Sequence, residues 1–274
     1  KEIPYTLVIY GTPADENHGG KIKMIDAGCF RDLDLVMMFH SGYEGGVCEQ
    51  YLGSLNRKFQ FIAPEEQQVL QSSALDAIQL AFAGVEQLRA YLRADGRLHY
   101  TIMEHDSDIK KVARASLTIR SKSKVYNDEI NKRINAILDG AAMMTGTIVE
   151  DFSKASILAN LLCVPSFTEA AKQNVCQVGQ PYTTDSMLRV GSSDFSNVSW
   201  IIPSCCIYAT AVPYGVQSHT VEYLREGKKP LAHDGILYAA KTMAGTYFDL
   251  LQNPEIVKRI KAEFKTVLQR AMNE

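Results

Sequence analysis

Residues 10–40 read YGTPADENHGGKIKMIDAGCFRDLDLVMMFH. The apolar run before and into this stretch, Thr6 to Tyr10, predicts a short buried strand that stops at Gly11 and Pro13. A turn then sets Asp15 beside Glu16. Gly19-Gly20 opens a helix carrying Ile22, Met24, Ile25 and Ala27, and Gly28 is placed to end it. Leu35 to Phe39 predicts a second strand, which delivers His40 at its end. Strand, acidic turn, helix and strand form a unit of the α/β type. In such units functional groups gather at the carboxyl ends of the strands. Two acids after one strand and a histidine after the next suit a catalytic metal site: one carboxylate ligates, the other handles protons, and a neutral imidazole gives a nitrogen. An acidic turn beside a structural histidine would leave the same pattern. Gly19-Gly20-Lys21 is no phosphate loop, because Lys21 lacks a following Ser or Thr and the upstream glycine spacing.

Further along, residues 191–203 read GSSDFSNVSWIIP and residues 218–223 read SHTVEY. Together with GTPADENHGGK, these stretches resemble the signatures of the di-zinc aminoacylase and carboxypeptidase superfamily. Within it the likeness is greatest to amidohydrolases of the aminobenzoyl-glutamate utilisation and Xaa-Arg dipeptidase type. The resemblance implies Asp15 as general base and Glu16, His40 and His219 as metal ligands. It also implies two divalent ions, zinc by preference, and a loop at Ser193 and Asp194 near the substrate. In that superfamily further ligands and a bridging carboxylate lie ahead of GTPAEE, so the catalytic domain read here is expected to be incomplete at its amino end. Asp15 departs from the family glutamate and is one methylene shorter.

Residues 46–159 predict an inserted domain. Leu52 to Ile62 reads as a strand, Ala74 to Leu92 as a helix, and Arg97 to Met103 and Ala113 to Arg120 as strands. A helix capped by Ser123, with Ile130, Ile134, Ile137, Ala141 and Met144 along one stripe, follows. Thr147 to Phe152 closes the series. The order βαββαβ is ferredoxin-like. The segment QSSALDAIQL resembles the start of the family's lid helix, and the resemblance implies a homodimer through lid strand edges. Arg120, at a lid strand end, matches a family arginine and is expected to grip a substrate carboxylate. Two departures stand out. FQFIAPEEQQVL holds no histidine where relatives have one, and HDSDIKKVA, with His105, Asp106 and Asp108, replaces an Asn-Pro loop and reads as a solvated acidic turn.

Residues 160–274 return to the first domain, so residues 1–45 and 160–274 are expected to form one catalytic α/β domain with a mostly parallel sheet. Phe167 to Gln173 and a run from Asp234 to Leu251 read as helices, and Asn253-Pro254 starts a last one. Trp200 to Ile202 and Ile207 to Val212 read as strands. His18 and His233 read as surface residues. A Ser-His-Asp set from Ser192, His219 and Asp194 lacks the spacing of a nucleophile elbow.

The bulk numbers agree with an enzyme of this kind. A net charge of −2 argues against nucleic acid as a partner. No apolar run is long enough to span a membrane. Six cysteines without C-x-x-C spacing read as reduced thiols, and a cytoplasmic protein is expected. The reading is a metal-dependent amidohydrolase. Its substrate would be an N-acyl amino acid, an aminobenzoyl-glutamate-like conjugate or a dipeptide. The competing reading is an inactive relative that binds or regulates.

Overall fold

The computed structural model describes residues 4–14, 19–64, 72–103, 108–153 and 157–274. The chain divides into two compact units. One contains Gly20–Tyr51 and Leu161–Asn273, and the other Leu52–Asn160.

The first unit is built on a mixed sheet. Its strands are β1 (Val36–Gly42), β2 (Gly46–Gln50), β7 (Met187–Leu188) and β8 (Ser204–Thr210), in the order β1-β8-β2-β7. β1 and β8 run parallel, as do β2 and β7, but β2 is antiparallel to β8. The sheet is therefore less parallel than expected. β2 and β7 are strands that the sequence pattern does not mark, and β2 carries the first unit on to Tyr51, past the expected crossing at residue 46. Every residue of β8 is buried, as a strand covered on both faces must be. Cys205, Ile207 and Ala209 pack with Met37, Val47 and Phe167 under the helices α4 (Pro165–Val175), α7 (Pro230–Gln252) and α8 (Pro254–Asn273). Cys206 and Tyr208 alternate to the other face, among Cys48, Tyr51, Phe195 and Val198. α1 (Gly20–Asp26) and α5 (Phe195–Val198) pack on each other. Gly28, at φ 78°, closes the turn after α1, as its sequence position suggests. α7 starts at Pro230 rather than at Asp234. Its Gly235 lies so close to the end of β8 that a Cβ would stand 2.8 Å from the Thr210 carbonyl oxygen. Any side chain there would push helix from sheet.

Two expected strands are absent. Residues 4–14 carry no strand, and Leu7 is 64% and Ile9 85% exposed. A β-forming run becomes a strand only beside a hydrogen-bonding neighbour, and none of the described strands pairs with it. Trp200 to Ile202 is a turn: the Trp200, Ile201 and Ile202 amides bond back to the carbonyls of Asn197 and Val198, which closes the short helix α5.

The second unit matches its expected order. Strands β3 (Gly53–Ile62), β4 (Arg97–Ile102), β5 (Val112–Ser121) and β6 (Ile148–Asp151) form an antiparallel sheet in the order β4-β5-β3-β6. Helices α2 (Ala74–Arg89) and α3 (Lys124–Thr145) pack on it. This is the ferredoxin-like topology. Ser73 and Ser123 cap the helices, accepting from the amides of Asp76 at 3.3 Å and Tyr126 at 3.1 Å. Alternation in β5 buries Ala113, Ala115, Leu117 and Ile119 against Phe59, Phe61, Ile78 and Ile134. Arg57 shares this inward parity in β3. Its Nε donates to Asp151 at 2.9 Å, so the buried cation has its counter-charge.

Candidate functional site

β1 and β8 are parallel, so their carboxyl ends lie at one edge of the first unit's sheet. His40 pairs in register with Tyr208 near that edge. Its imidazole stacks on the Tyr208 ring, with centroids 4.9 Å apart and planes 27° from parallel. His40 Nδ1 lies 2.8 Å from the Ser41 carbonyl oxygen. A carbonyl only accepts, so Nδ1 carries the proton and Nε2 keeps its lone pair. Fixing one ring nitrogen on a backbone carbonyl while the other stays basic is how a metal-ligating histidine is oriented. His40 is thus suited to the ligand role that its position suggests.

The same edge carries His219, in the loop after β8. Ser41 Oγ lies 2.5 Å from Tyr223 Oη, which ties the residue after His40 to α6 (Val221–Glu226). Thr220 caps α6, its Oγ1 accepting from the Tyr223 amide at 3.1 Å. Tyr43, just past β1, meets Tyr214 of the His219 loop edge to face, with centroids 5.1 Å apart. The His219 loop is therefore anchored to the His40 strand at two points. His219 itself is exposed and has φ 62°. Left-handed backbone at a histidine costs about 1 kcal/mol or more, a strain retained at functional positions. His219→Gly should therefore be about 1 kcal/mol more stable than His219→Ala, because only glycine tolerates that φ freely. Chemical denaturation of the two variants checks this, and equal midpoints would refute the strain.

The two sequence signatures meet inside this unit. Asp194 is fully buried, and its carboxylate accepts from the Lys21 amide at 2.9 Å and from Lys21 Nζ at 2.8 Å. Lys21 is only 3% exposed. The GGK motif is thus bonded to the GSSD motif, although the whole inserted domain separates them in sequence. Such a carboxylate, sealed and already engaged, is better placed to hold the loops than to meet a substrate. Ser193 is also buried, and its Oγ accepts from the Phe195 amide at 3.2 Å. Arg120 lies at the end of β5 in the second unit, opposite Arg97 and Ser54 in register.

Asp15, Glu16 and His18 lie outside the described residues, as do His105 and Asp106. Among the described residues, no three His, Cys, Asp or Glu side chains converge as a metal site would require. Asp108 accepts from the Lys110 amide at 3.0 Å in an exposed turn, as a solvated loop would. His233 is exposed on α7.

Beneath His40 the structure adds groups that carry no sequence signature. Tyr208 Oη lies 2.7 Å from Tyr51 Oη, and Tyr51 Oη lies 3.7 Å from Cys206 Sγ. Burial pushes both phenols well above their ordinary range, so both stay neutral. Cys48 faces Cys206 across the antiparallel strands. The hydrogen bond from Cys206 brings the Cys48 thiol down, against the effect of burial, and nearby Arg189 adds to it. The Arg189 guanidinium lies over the Tyr208 ring, 4.5 Å from its centroid. No motif marks Arg189 or Tyr208; one sits in a polar loop and the other in a strand buried throughout.

A mixed α/β unit with loops converging on one strand edge, interrupted by a ferredoxin-like unit, is the fold of M20-type metallopeptidases. A dinuclear metal-binding peptidase of the M20 family from Bacillus subtilis superposes with a TM-score of 0.58 at 14% identity, over 88% of this chain and 64% of that one. A Staphylococcus aureus protein described as an aminohydrolase gives 0.64 at 18% identity, over 88% and 65%. At these identities the likeness speaks for the fold. No family model matches the chain. Among curated proteins, the Xaa-Arg dipeptidases of mouse and human are 28% and 29% identical over 97% of the chain. A component polypeptide of the Escherichia coli p-aminobenzoyl-glutamate hydrolase is 26% identical over 96%. These relatives are the types to which GTPADENHGGK points. The chain spans 64% of the mouse dipeptidase and 68% of the Escherichia coli polypeptide. No helix among the described residues is long and apolar enough to cross a membrane.

Proposed function

We propose that the protein is a metal-dependent amidohydrolase that cleaves the amide bond of a dipeptide, an N-acyl amino acid or an aminobenzoyl-glutamate-like conjugate. The observation that carries this reading is His40, whose Nδ1–H is fixed on the Ser41 carbonyl so that Nε2 keeps a lone pair for a metal. Relatives named dipeptidase and hydrolase support it. His40 Nε2, His219 and Glu16 offer the nitrogen and oxygen donors that zinc accepts. Two divalent ions, when bound, would polarise the scissile carbonyl and lower the pKa of a water. Asp15 would take a proton from the attacking water and pass it to the leaving amine. Lys21 and Asp194 would hold the start of α1 and the GSSD loop in fixed relation, with Ser193 ordering the loop's exit into α5. Arg120 would grip a substrate carboxylate. The lid's edge strands, β4 and β6, would offer pairing partners for a homodimer. Six cysteines without a disulfide suit a reducing compartment, the cytoplasm.

The test pairs metal content by mass spectrometry with hydrolysis of p-aminobenzoyl-glutamate and of Xaa-Arg dipeptides. In a protein that also carries the family's further ligands and bridging carboxylate, bound metal and turnover, both lost in Glu16→Ala and in His219→Ala, are expected, and the chain without them is expected to hold metal weakly. Metal binding without turnover would favour the second reading, a binding or regulatory relative, which Asp15 in the family's glutamate position supports. No metal loss from either variant would remove the ligand assignment.

A further inference from the structure

The first unit holds an open cavity of about 430 Å³. Its walls come from the turn after α1, from the residues that enter β1 and β8, and from α8. β1 and β8 run parallel, so a cavity at their amino ends lies at the other end of the sheet from His40. Phe30, Leu33, Ile201, Ile202 and Phe264 make the walls apolar. The volume falls in the range of small-molecule sites, and an apolar guest would recover the cost of wetting such walls.

The charges around the cavity are mostly positive. Arg31, Lys261 and Lys265 line it beside a single carboxylate, that of Asp34, which is bonded to Lys261 Nζ. Among the described residues no carboxylate pairs with Arg31 or Lys265. Lys261, Phe264 and Lys265 fall at i, i+3 and i+4 on α8, which sets both lysines beside one apolar wall. The Arg31 side chain lies across Gly28, where a Cβ would stand 2.8 Å from its Nε, so the glycine gives the guanidinium room at the cavity.

We propose that this cavity is a second ligand site, taking a carboxylate with an apolar body, of which a medium-chain fatty acid is the simplest case. The body lies against the apolar walls, and the anionic head meets Arg31 and Lys265. The inference stands apart from the amidohydrolase reading, since it uses no residue assigned there to metal or substrate.

The test is calorimetric titration of the protein with hexanoate, octanoate and decanoate. Octanol and octylammonium serve as the neutral and cationic counterparts of octanoate. Octanoate should bind about tenfold tighter than octanol, and octylammonium should bind weakest. Each added pair of methylenes should tighten binding by about tenfold while apolar wall remains to be covered. Ile201 is 48% exposed, so Ile201→Asp brings a repelling carboxylate to the wall without burying it, and octanoate affinity should fall about tenfold or more. Arg31→Glu combined with Lys265→Glu, both at exposed positions, should abolish the preference for octanoate over octanol. His40→Ala should leave octanoate binding unchanged. On the unaltered protein, a diazirine-bearing fatty acid should cross-link to the Ile201, Ile202 or Phe264 segment, and octanoate should suppress the cross-link. Each of four results would overturn the proposal: no octanoate binding, octanol or octylammonium binding as tightly as octanoate, undiminished octanoate affinity in folded Ile201→Asp, or cross-links confined to other segments. Octanoate binding lost in His40→Ala would likewise overturn it, by placing the fatty acid at the opposite end of the sheet.

Discussion

Asp194→Ala should destabilise the first unit by about 3–5 kcal/mol, the range for removing one partner of a buried ion pair. The carboxylate is fully buried and the Lys21 side chain nearly so, at 2.8 Å from it. Removing the acid takes the bonded carboxylate from a buried ammonium and a buried backbone N–H. The loss is mostly the desolvation of those groups, rather than the attraction itself. Lys21→Met in the Asp194→Asn background isolates it. The side-chain amide introduced by Asp194→Asn would still accept from the backbone N–H, and no lone charge would remain. That double variant should therefore recover much of what each single change loses. Urea unfolding of the four proteins gives the coupling directly. Single variants that each cost under about 1 kcal/mol would show that the pair is more solvated than its burial indicates.

If the proposed function holds, His40→Ala should lower amide hydrolysis by more than about 100-fold, since removing even a group that only orients a ligand costs 10–100-fold. Stability should change less than activity, because His40 is partly exposed and, among the described residues, its ring bonds the neighbouring carbonyl and stacks on Tyr208. His40→Gln tests the nitrogen specifically: it keeps polarity and size but offers no imidazole lone pair. The expected result is that both variants lose metal and activity together, with unchanged circular dichroism. Retained activity in either would refute the ligand role of His40.

The ferredoxin-like unit is legible in the sequence because its local signals agree. Serine caps precede the helices, 3.6-residue stripes run along them, and β5 alternates strictly between faces. Each of these is a short-range property of the sequence. The first unit is harder to read. β8 is buried on both faces, so SCCIYAT shows no alternation to mark where it starts. β2 and β7 are short and paired with distant partners, and nothing in GVCEQ or in ML announces a strand. Thr6 to Tyr10 has β-forming residues, but pairing depends on a neighbour that local sequence does not specify. At the site, motif likeness picks out His40, His219 and Asp194 as belonging together. It does not reveal that Asp194 is sealed against Lys21, since burial is a property of the packed unit. Arg189 has no signature at all; only the ring beneath it draws notice.

Lys21 and Asp194 stand 173 residues apart in the chain. On a ribosome adding about 5–20 residues per second, the lysine would wait roughly 10–35 s for its aspartate. During that interval the first strand and helix have no parallel neighbour, while the whole ferredoxin-like unit has already emerged. Biogenesis should thus run from the middle outward, with the inserted unit compact before the flanking one can close. Nascent chains stalled once Leu52–Asn160 has left the ribosome, but before β8 has, should resist protease across that unit and be cut readily ahead of it.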